Sequence, residues 1–159
     1  MEKRVYIDMN RCIGCRSCAA ACAEGHHEQG LLKHGSVEEV ALLPLHCRHC
    51  DNPLCLEVCP EDAIKKNDDG VIVRENQRCI GCKSCVLACP FGVMFPYRTW
   101  HISPKCDLCV DRLEEDQEPR CVSTCTTGAL VFEDLATVEE KHERVVEGGR
   151  YFARFMLER

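Results

Sequence analysis

Apolar residues in this chain come in short runs broken by polar stretches and turn residues, not in long amphipathic periods. Val5-Tyr6-Ile7, Val71-Ile72-Val73, Val93-Met94-Phe95 and Leu130-Val131-Phe132 are runs of this kind. Their length and β-prone composition predict short strands in small antiparallel hairpins. Asp68-Asp69-Gly70 predicts the turn of one hairpin, because Asp and Gly accept the backbone angles of tight turns. Residues 17–23 and 84–88 predict single helical turns. Pro60 and Pro90 predict where such turns stop, since proline cannot continue a helix. Residues 24–46 carry no assigned element. The tail from about Thr137 to Leu157 predicts a helix that Gly148-Gly149 breaks in two. The pattern is α+β, with short β-hairpins, small helices and a helical C-terminal tail.

Composition changes the picture of the core. Only 6% of the 159 residues are aromatic, and 16 are cysteine. A hydrophobic core of ordinary size is not available, so staples must supplement it. The cysteines form four quartets: Cys12, Cys15, Cys18, Cys22; Cys47, Cys50, Cys55, Cys59; Cys79, Cys82, Cys85, Cys89; and Cys106, Cys109, Cys121, Cys125. The first and third have the spacing C-x2-C-x2-C-x3-C, the ligand run of bacterial ferredoxins.

Disulfides suit secreted chains, but the first residues hold no apolar signal region. Three thiols at two-residue intervals also pair poorly with one another and converge well on one compact site. Structural zinc usually joins one C-x2-C to another or to a pair of histidines, which the triple runs do not resemble. Sixteen thiols in four quartets instead match four [4Fe–4S] clusters, which store single electrons.

Arg11-Cys12-Ile13-Gly14-Cys15-Arg16-Ser17-Cys18 recurs as Arg78-Cys79-Ile80-Gly81-Cys82-Lys83-Ser84-Cys85, which marks an internal duplication. The short gap from Cys59 to Cys79 is like that inside a two-cluster ferredoxin, where the fourth cysteine of each run ligates the other cluster. On that rule Cys47, Cys50, Cys55 and Cys89 hold one cluster and Cys79, Cys82, Cys85 and Cys59 a second. Quartets one and four then meet in space: Cys12, Cys15, Cys18 with Cys125, and Cys106, Cys109, Cys121 with Cys22. The expected fold has two pseudo-symmetric ferredoxin-like dicluster modules, one inserted in the other. Residues 44–99 form the inserted module, residues 1–30 with 100–133 the split one. Residues 134–159 form the tail, whose Phe152, Phe155 and Met156 suit a partner dock.

Gly14 and Gly81 are expected to take backbone angles closed to other residues, and Ile13 and Ile80 to shield cluster faces from water. His46 and His49 flank ligands and are expected as hydrogen-bonding neighbours or surface contacts, not as ligands. His26, His27, His34, His101 and His142 are expected to be solvated or at a partner contact. Tyr97 and Trp100 are expected to pack on a cluster loop. With four protein ligands for each cluster, no iron is left for a substrate, and no catalytic constellation or nucleotide fingerprint is visible. The formal charge of −6 falls to about −14 with clusters bound, which disfavours nucleic acid. No apolar stretch is long enough to cross a bilayer. Cluster assembly under reducing conditions points to the cytoplasm.

The chain resembles the four-cluster iron–sulfur subunits of the dimethyl-sulfoxide-reductase and formate-dehydrogenase type. The resemblance rests on residues 8–15, 47–60 and 78–82, and above all on Lys105-Cys106-Asp107-Leu108-Cys109-Val110-Asp111-Arg112-Leu113 with Cys121-Val122-Ser123-Thr124-Cys125. It implies a non-catalytic subunit that relays electrons between a catalytic oxidoreductase subunit, most often a molybdenum- or tungsten-pterin enzyme such as aldehyde oxidoreductase or formate dehydrogenase, and a second redox partner. That partner would be a flavin subunit, a hydrogenase or a ferredoxin, in a hetero-oligomer that can hold several copies. The alternative is a mobile polyferredoxin, or a maturation protein, serving hydrogenase or carbon monoxide dehydrogenase. In such families the subunit can also be exported folded with a signal-bearing partner. Thr126 stands where relatives often place proline, so a different turn is expected after Cys125.

Overall fold

The strand nearest the start of the chain is the middle strand of its largest sheet. In the computed structural model, which describes residues 3–8, 10–26, 32–37, 41–94, 102, 104–141 and 145–147, β1 (Arg4–Asp8) lies between β6 (Leu130–Glu133) and β7 (Val145–Glu147). Both pairings are antiparallel: Val5 faces Phe132 and Ile7 faces Leu130 on one edge, and Tyr6 faces Glu147 on the other. All five β1 residues are buried. Arg4 and Asp8 tolerate this because they have partners: Arg4 reaches Asp51 at 3.7 Å, and Asp8 accepts from the Asn10 amide at 2.9 Å and pairs with Arg11 at 3.4 Å.

Helix α1 (Ser17–Gly25) is longer than the single turn expected. Ala19, Ala20, Ala21 and Ala23 are strong helix formers and carry it onward past Cys22. Residues 24–46, whose pattern predicts no element, supply the hairpin of β2 (Lys33–Val37) and β3 (Ala41–Leu45). Gly35 and Pro44 weaken its sequence signal. Proline survives there because a two-stranded sheet leaves outward amides unpaired.

Helix α2 (Leu54–Glu57) leads to the hairpin of β4 (Ile64–Lys66) and β5 (Ile72–Arg74). Its turn lies at the expected residues. Gly70 takes φ 79°, and the Asn67 side chain closes the turn by accepting from the Val71 amide at 2.7 Å. Helix α3 (Ser84–Ala88) ends at Cys89, whose extended backbone (ψ 110°) is what a following proline demands. Two short helices follow, α4 (Val110–Leu113) and α5 (Arg120–Ser123).

Val93 and Met94 are buried but form no strand, unlike the expectation. They follow the turn at Gly92 and have no paired neighbour among the described residues. The helical tail holds only in part. α6 (Leu135–Lys141) is capped by Asp134, whose carboxylate accepts from the Thr137 amide at 2.9 Å and from its hydroxyl at 2.8 Å. Residues 145–147 are then a strand, because Val145 and Val146 complete the open edge of β1. The expectations for His27, Phe95, Tyr97, Trp100, His101, His142, Phe152, Phe155 and Met156, and for the side chain of His34, fall outside the described residues.

The core is small and includes cysteine. Val5, Ile7, Leu32, Val71, Leu108, Val122 and Leu130 pack with Cys18 and Cys22, and Cys12, Cys106, Cys121 and Cys125 lie against them.

Candidate metal centres

Each fourth cysteine of quartets two, three and four opens the same local structure. Three residues later the chain takes a positive φ, at Asp62 (47°), Gly92 (57°) and Gly128 (62°). The amide there returns to the cysteine carbonyl at 3.4, 3.2 and 3.0 Å. Two buried apolar residues follow: Ala63-Ile64, Val93-Met94 and Ala129-Leu130. Thr126 in place of proline therefore leaves the turn after Cys125 unchanged, contrary to expectation, because the turn depends on Gly128. Next in line, the Ala63 amide donates to Cys59 Sγ at 3.3 Å and the Leu130 amide to Cys125 Sγ at 3.4 Å.

The C-x2-C loops share a second device. In the first such loop of each quartet, the residue before the second cysteine has a positive φ: Gly14 (68°), His49 (47°), Gly81 (71°) and Leu108 (61°). Glycine does this without strain, whereas His49 and Leu108 are held there by burial, at 1% and 3% exposure.

These turns bring cysteines of different quartets together. The thiol of Cys18 senses Cys125, Cys12 and Cys15, which form site 1. One cavity is lined by Cys22, Cys106, Cys109 and Cys121, site 2. A larger cavity of about 260 Å³ is lined by Cys47, Cys50, Cys55 and Cys89, site 3. A third is lined by Cys59, Cys79, Cys82 and Cys85, site 4. Helices α1 and α5 pack together: α1 gives Cys18 to site 1 and Cys22 to site 2, and α5 gives Cys121 to site 2, with Cys125 of site 1 just past its end. Helices α2 and α3 also pack together: α2 gives Cys55 to site 3 and α3 gives Cys85 to site 4, and the cysteines just past their ends, Cys59 and Cys89, cross to sites 4 and 3.

The donor chemistry fits metal. Burial pushes the thiols of Cys18 and Cys55 up to about 11 and that of Cys121 up to about 12, and neighbouring thiols add to the shift. Cys106 is raised well above its ordinary value for the same reasons. Such thiols ionise at neutral pH only against a cationic partner, which iron supplies.

Two 4Fe-4S dicluster domain models match the chain, over residues 38–135 and 4–60. The chain belongs to the 4Fe-4S dicluster family of iron–sulfur electron-transfer subunits. This dicluster protein is similar to a tetrathionate reductase subunit from Salmonella typhimurium, with 40% identity over 153 residues, 89% of this chain and 60% of that one. It thus spans under two thirds of that relative's length. It is 33% identical over 155 residues to a polypeptide of the anaerobic dimethyl sulfoxide reductase of Escherichia coli, covering 86% of this chain and 76% of the relative. It is 38% identical over 157 residues to the Escherichia coli protein YsaA, which carries the name of an electron transport protein, covering 91% and 98%.

The dicluster protein surrounds its thiols with groups that sequence reasoning passed over or misjudged. Ser17 and Ser84 hydroxyls lie 3.4 Å from Cys15 Sγ and Cys82 Sγ and hold both thiols below their ordinary value. Neither His46 nor His49 is at the surface. His46 Nε2 donates to the Val5 carbonyl at 3.1 Å, joining the inserted module to β1, and burial lowers its pKa to about 4. His49 Nδ1 accepts from the Ile72 amide at 2.9 Å, so its proton sits on Nε2, which is buried and has no partner among the described residues. An orphaned donor between two cysteine ligands suits a group that accepts hydrogen bonds. His26 is not solvated: its Nε2 lies 3.8 Å from both Cys109 Sγ and Asp107 Oδ1. Ile13 and Ile80 are 70% and 63% exposed, so they rim sites 1 and 4 and do not bury them. Among the described residues no helix is long and apolar enough to cross a membrane.

Proposed function

We propose that the four thiol groups hold four [4Fe–4S] clusters: Cys12, Cys15, Cys18 and Cys125; Cys22, Cys106, Cys109 and Cys121; Cys47, Cys50, Cys55 and Cys89; and Cys59, Cys79, Cys82 and Cys85. Sites 1 and 2 belong to the split module, residues 1–30 with 100–133, and sites 3 and 4 to the inserted module, residues 44–99. When bound, such clusters supply reversible one-electron storage. The chain serves as the relay between a molybdenum- or tungsten-pterin catalytic subunit and a second redox partner.

The observation that carries this reading is the linear order of the sites. Cys121 of site 2 senses Cys18 of site 1, and Cys106 of site 2 senses Cys47 of site 3. Sites 3 and 4 adjoin where α2, which carries Cys55, packs on α3, which carries Cys85. The two exposed cysteines, Cys15 and Cys82, belong to sites 1 and 4, the two ends. Both ends carry the duplicated motif, with Ile13 and Ile80 turned outward for a partner to cover. Cys22 and Cys109 of site 2 are buried, and the four cysteines of site 3 are partly exposed. Similarity to polypeptides of the tetrathionate and dimethyl sulfoxide reductases supports a pterin-enzyme partner.

The test is anaerobic affinity purification at native abundance, with iron, molybdenum and tungsten quantified on one sample. The expected result is about sixteen irons per chain and a stoichiometric large subunit bearing molybdenum or tungsten. Sixteen irons with no stable partner would favour a mobile polyferredoxin, a reading that the near full-length match to YsaA keeps in play. Nickel in the complex would point to hydrogenase or carbon monoxide dehydrogenase.

A further inference from the structure

Lys105 is 7% exposed, an unusual degree of burial for lysine. Its Nζ donates to the carbonyl of Ile72, to the carbonyl of Cys106 at 2.9 Å and to Cys47 Sγ at 3.5 Å. Three acceptors match the three N–H groups of an ammonium, so the geometry calls for the charged form. None of the three is a carboxylate, so the one acceptor here that can carry charge is the Cys47 sulfur.

The position of that charge is specific. Cys47 belongs to site 3 and Cys106 to site 2, and Ile72 lies on β5 of the inserted module. Lys105 therefore sits where the two modules meet and where the line of sites passes from one to the other. Its charge also acts on Cys55 of site 3. Among the described residues, Arg11, Arg16, Arg78 and Lys83 around sites 1 and 4 are not buried; site 4 has its own cation in Arg74, which lines it beside Cys79 and Cys85 but is only partly buried and touches no second site. Reduction of a cluster adds a negative charge, and a buried cation stabilises that state far more than an exposed one screened by water.

We propose that Lys105 is a positioning and tuning residue shared by the two inner sites, one buried cation that raises the reduction potentials of both where electrons pass between the modules at Cys47 and Cys106. The proposal rests on the four-cluster reading above. A shared charge moves both potentials the same way. It therefore leaves the gap between the two inner potentials nearly unchanged while making electrons easier to accept from either end. The step is a plain one-electron transfer, in which the cluster losing the electron is oxidised, the other is reduced, and no proton moves.

The experiment is a potentiometric titration followed by electron paramagnetic resonance on the anaerobically purified full chain, in wild type, Lys105→Gln and Lys105→Arg, with iron counted in each. Gln keeps a donor for Ile72 and removes the charge; Arg keeps the charge. In Lys105→Gln with full iron, two of four midpoints should fall by about tenfold in reduction equilibrium, which is about 59 mV for a one-electron couple. The other two should stay, and Lys105→Arg should keep all four near wild type. Four unmoved midpoints in Lys105→Gln, or four moving together, would overturn the proposal. Should Lys105→Gln lose iron, full loading of Lys105→Arg upholds the need for charge, and equal loss in both overturns it. A wild-type count far below about sixteen irons sinks the four-cluster reading instead, and is seen before any variant is made.

Discussion

Single residues in this protein act through backbone angle as much as through side chain. The positive φ at Gly14, His49, Gly81 and Leu108 reverses the first C-x2-C loop of each quartet so that its thiols converge. A β-branched residue at φ 71° is strained, so Gly81→Val should cost about 1–3 kcal/mol and bleach site 4 sooner under chelator, followed by visible absorbance. Loss at the wild-type rate would mean that the loop does not need that angle. The thiol groupings make a second prediction at this scale. Cys125→Ala should remove about four irons and the paramagnetic signal of site 1, built on Cys12, while sparing site 2, built on Cys106. Loss of the site 2 signal with site 1 intact would contradict the grouping.

Pairs of elements hold pairs of sites, so element contacts govern the clusters. Where α1 meets α5, the Arg120 side chain crosses Gly25: a Cβ there would stand 2.2 Å from Arg120 Cδ. Arg120 binds both Asp111 oxygens, at 2.9 and 3.4 Å, and lines the same cavity as Cys109. Gly25→Ala must therefore push Arg120 away, at a cost of about 1–3 kcal/mol. In a double-mutant cycle that cost should shrink once Arg120→Ala is present. Additive effects on the thermal midpoint would show that the two residues are independent. The sheet offers another test. A chain ended after Lys141 lacks β7 and exposes the edge of β1 at Tyr6, Ile7 and Asp8. Amide exchange in residues 4–8, measured by mass spectrometry, should accelerate; unchanged protection would show that β6 alone secures β1.

For the whole molecule, cysteines are part of the core. Cys18 and Cys22 are counted among the buried core residues, and four more cysteines pack against them. Small domains with little apolar core seldom fold without their staple. Anaerobic chelation should therefore collapse the far-ultraviolet circular dichroism of the chain. Native-like secondary structure in the iron-free protein would show that the apolar residues suffice alone. The same dependence explains how 159 residues with few aromatics can fold as two modules.

Residue identity and spacing by themselves determined the cofactor class, the α+β dicluster architecture and the electron-transfer role, because soft thiols at two-residue intervals suit few other ligands. The strands β1, β5 and β6, the β4–β5 turn and α3 were legible for a similar reason: each is coded by its own few residues. What contacts distant in sequence decide was not legible. The β2–β3 hairpin carries Gly35 and Pro44, which mask its strand signal, and residues 145–147 become a strand only because β1 leaves an edge to fill. His49 and Leu108 reach glycine-like angles only because packing holds them there. His26 meets Cys109 across 83 positions of chain, and Lys105 meets Cys47 across 58. Local sequence selects the ligands and the turns between them; only the folded chain brings charges and hydrogen-bond donors to those ligands, because such contacts depend on which surfaces meet.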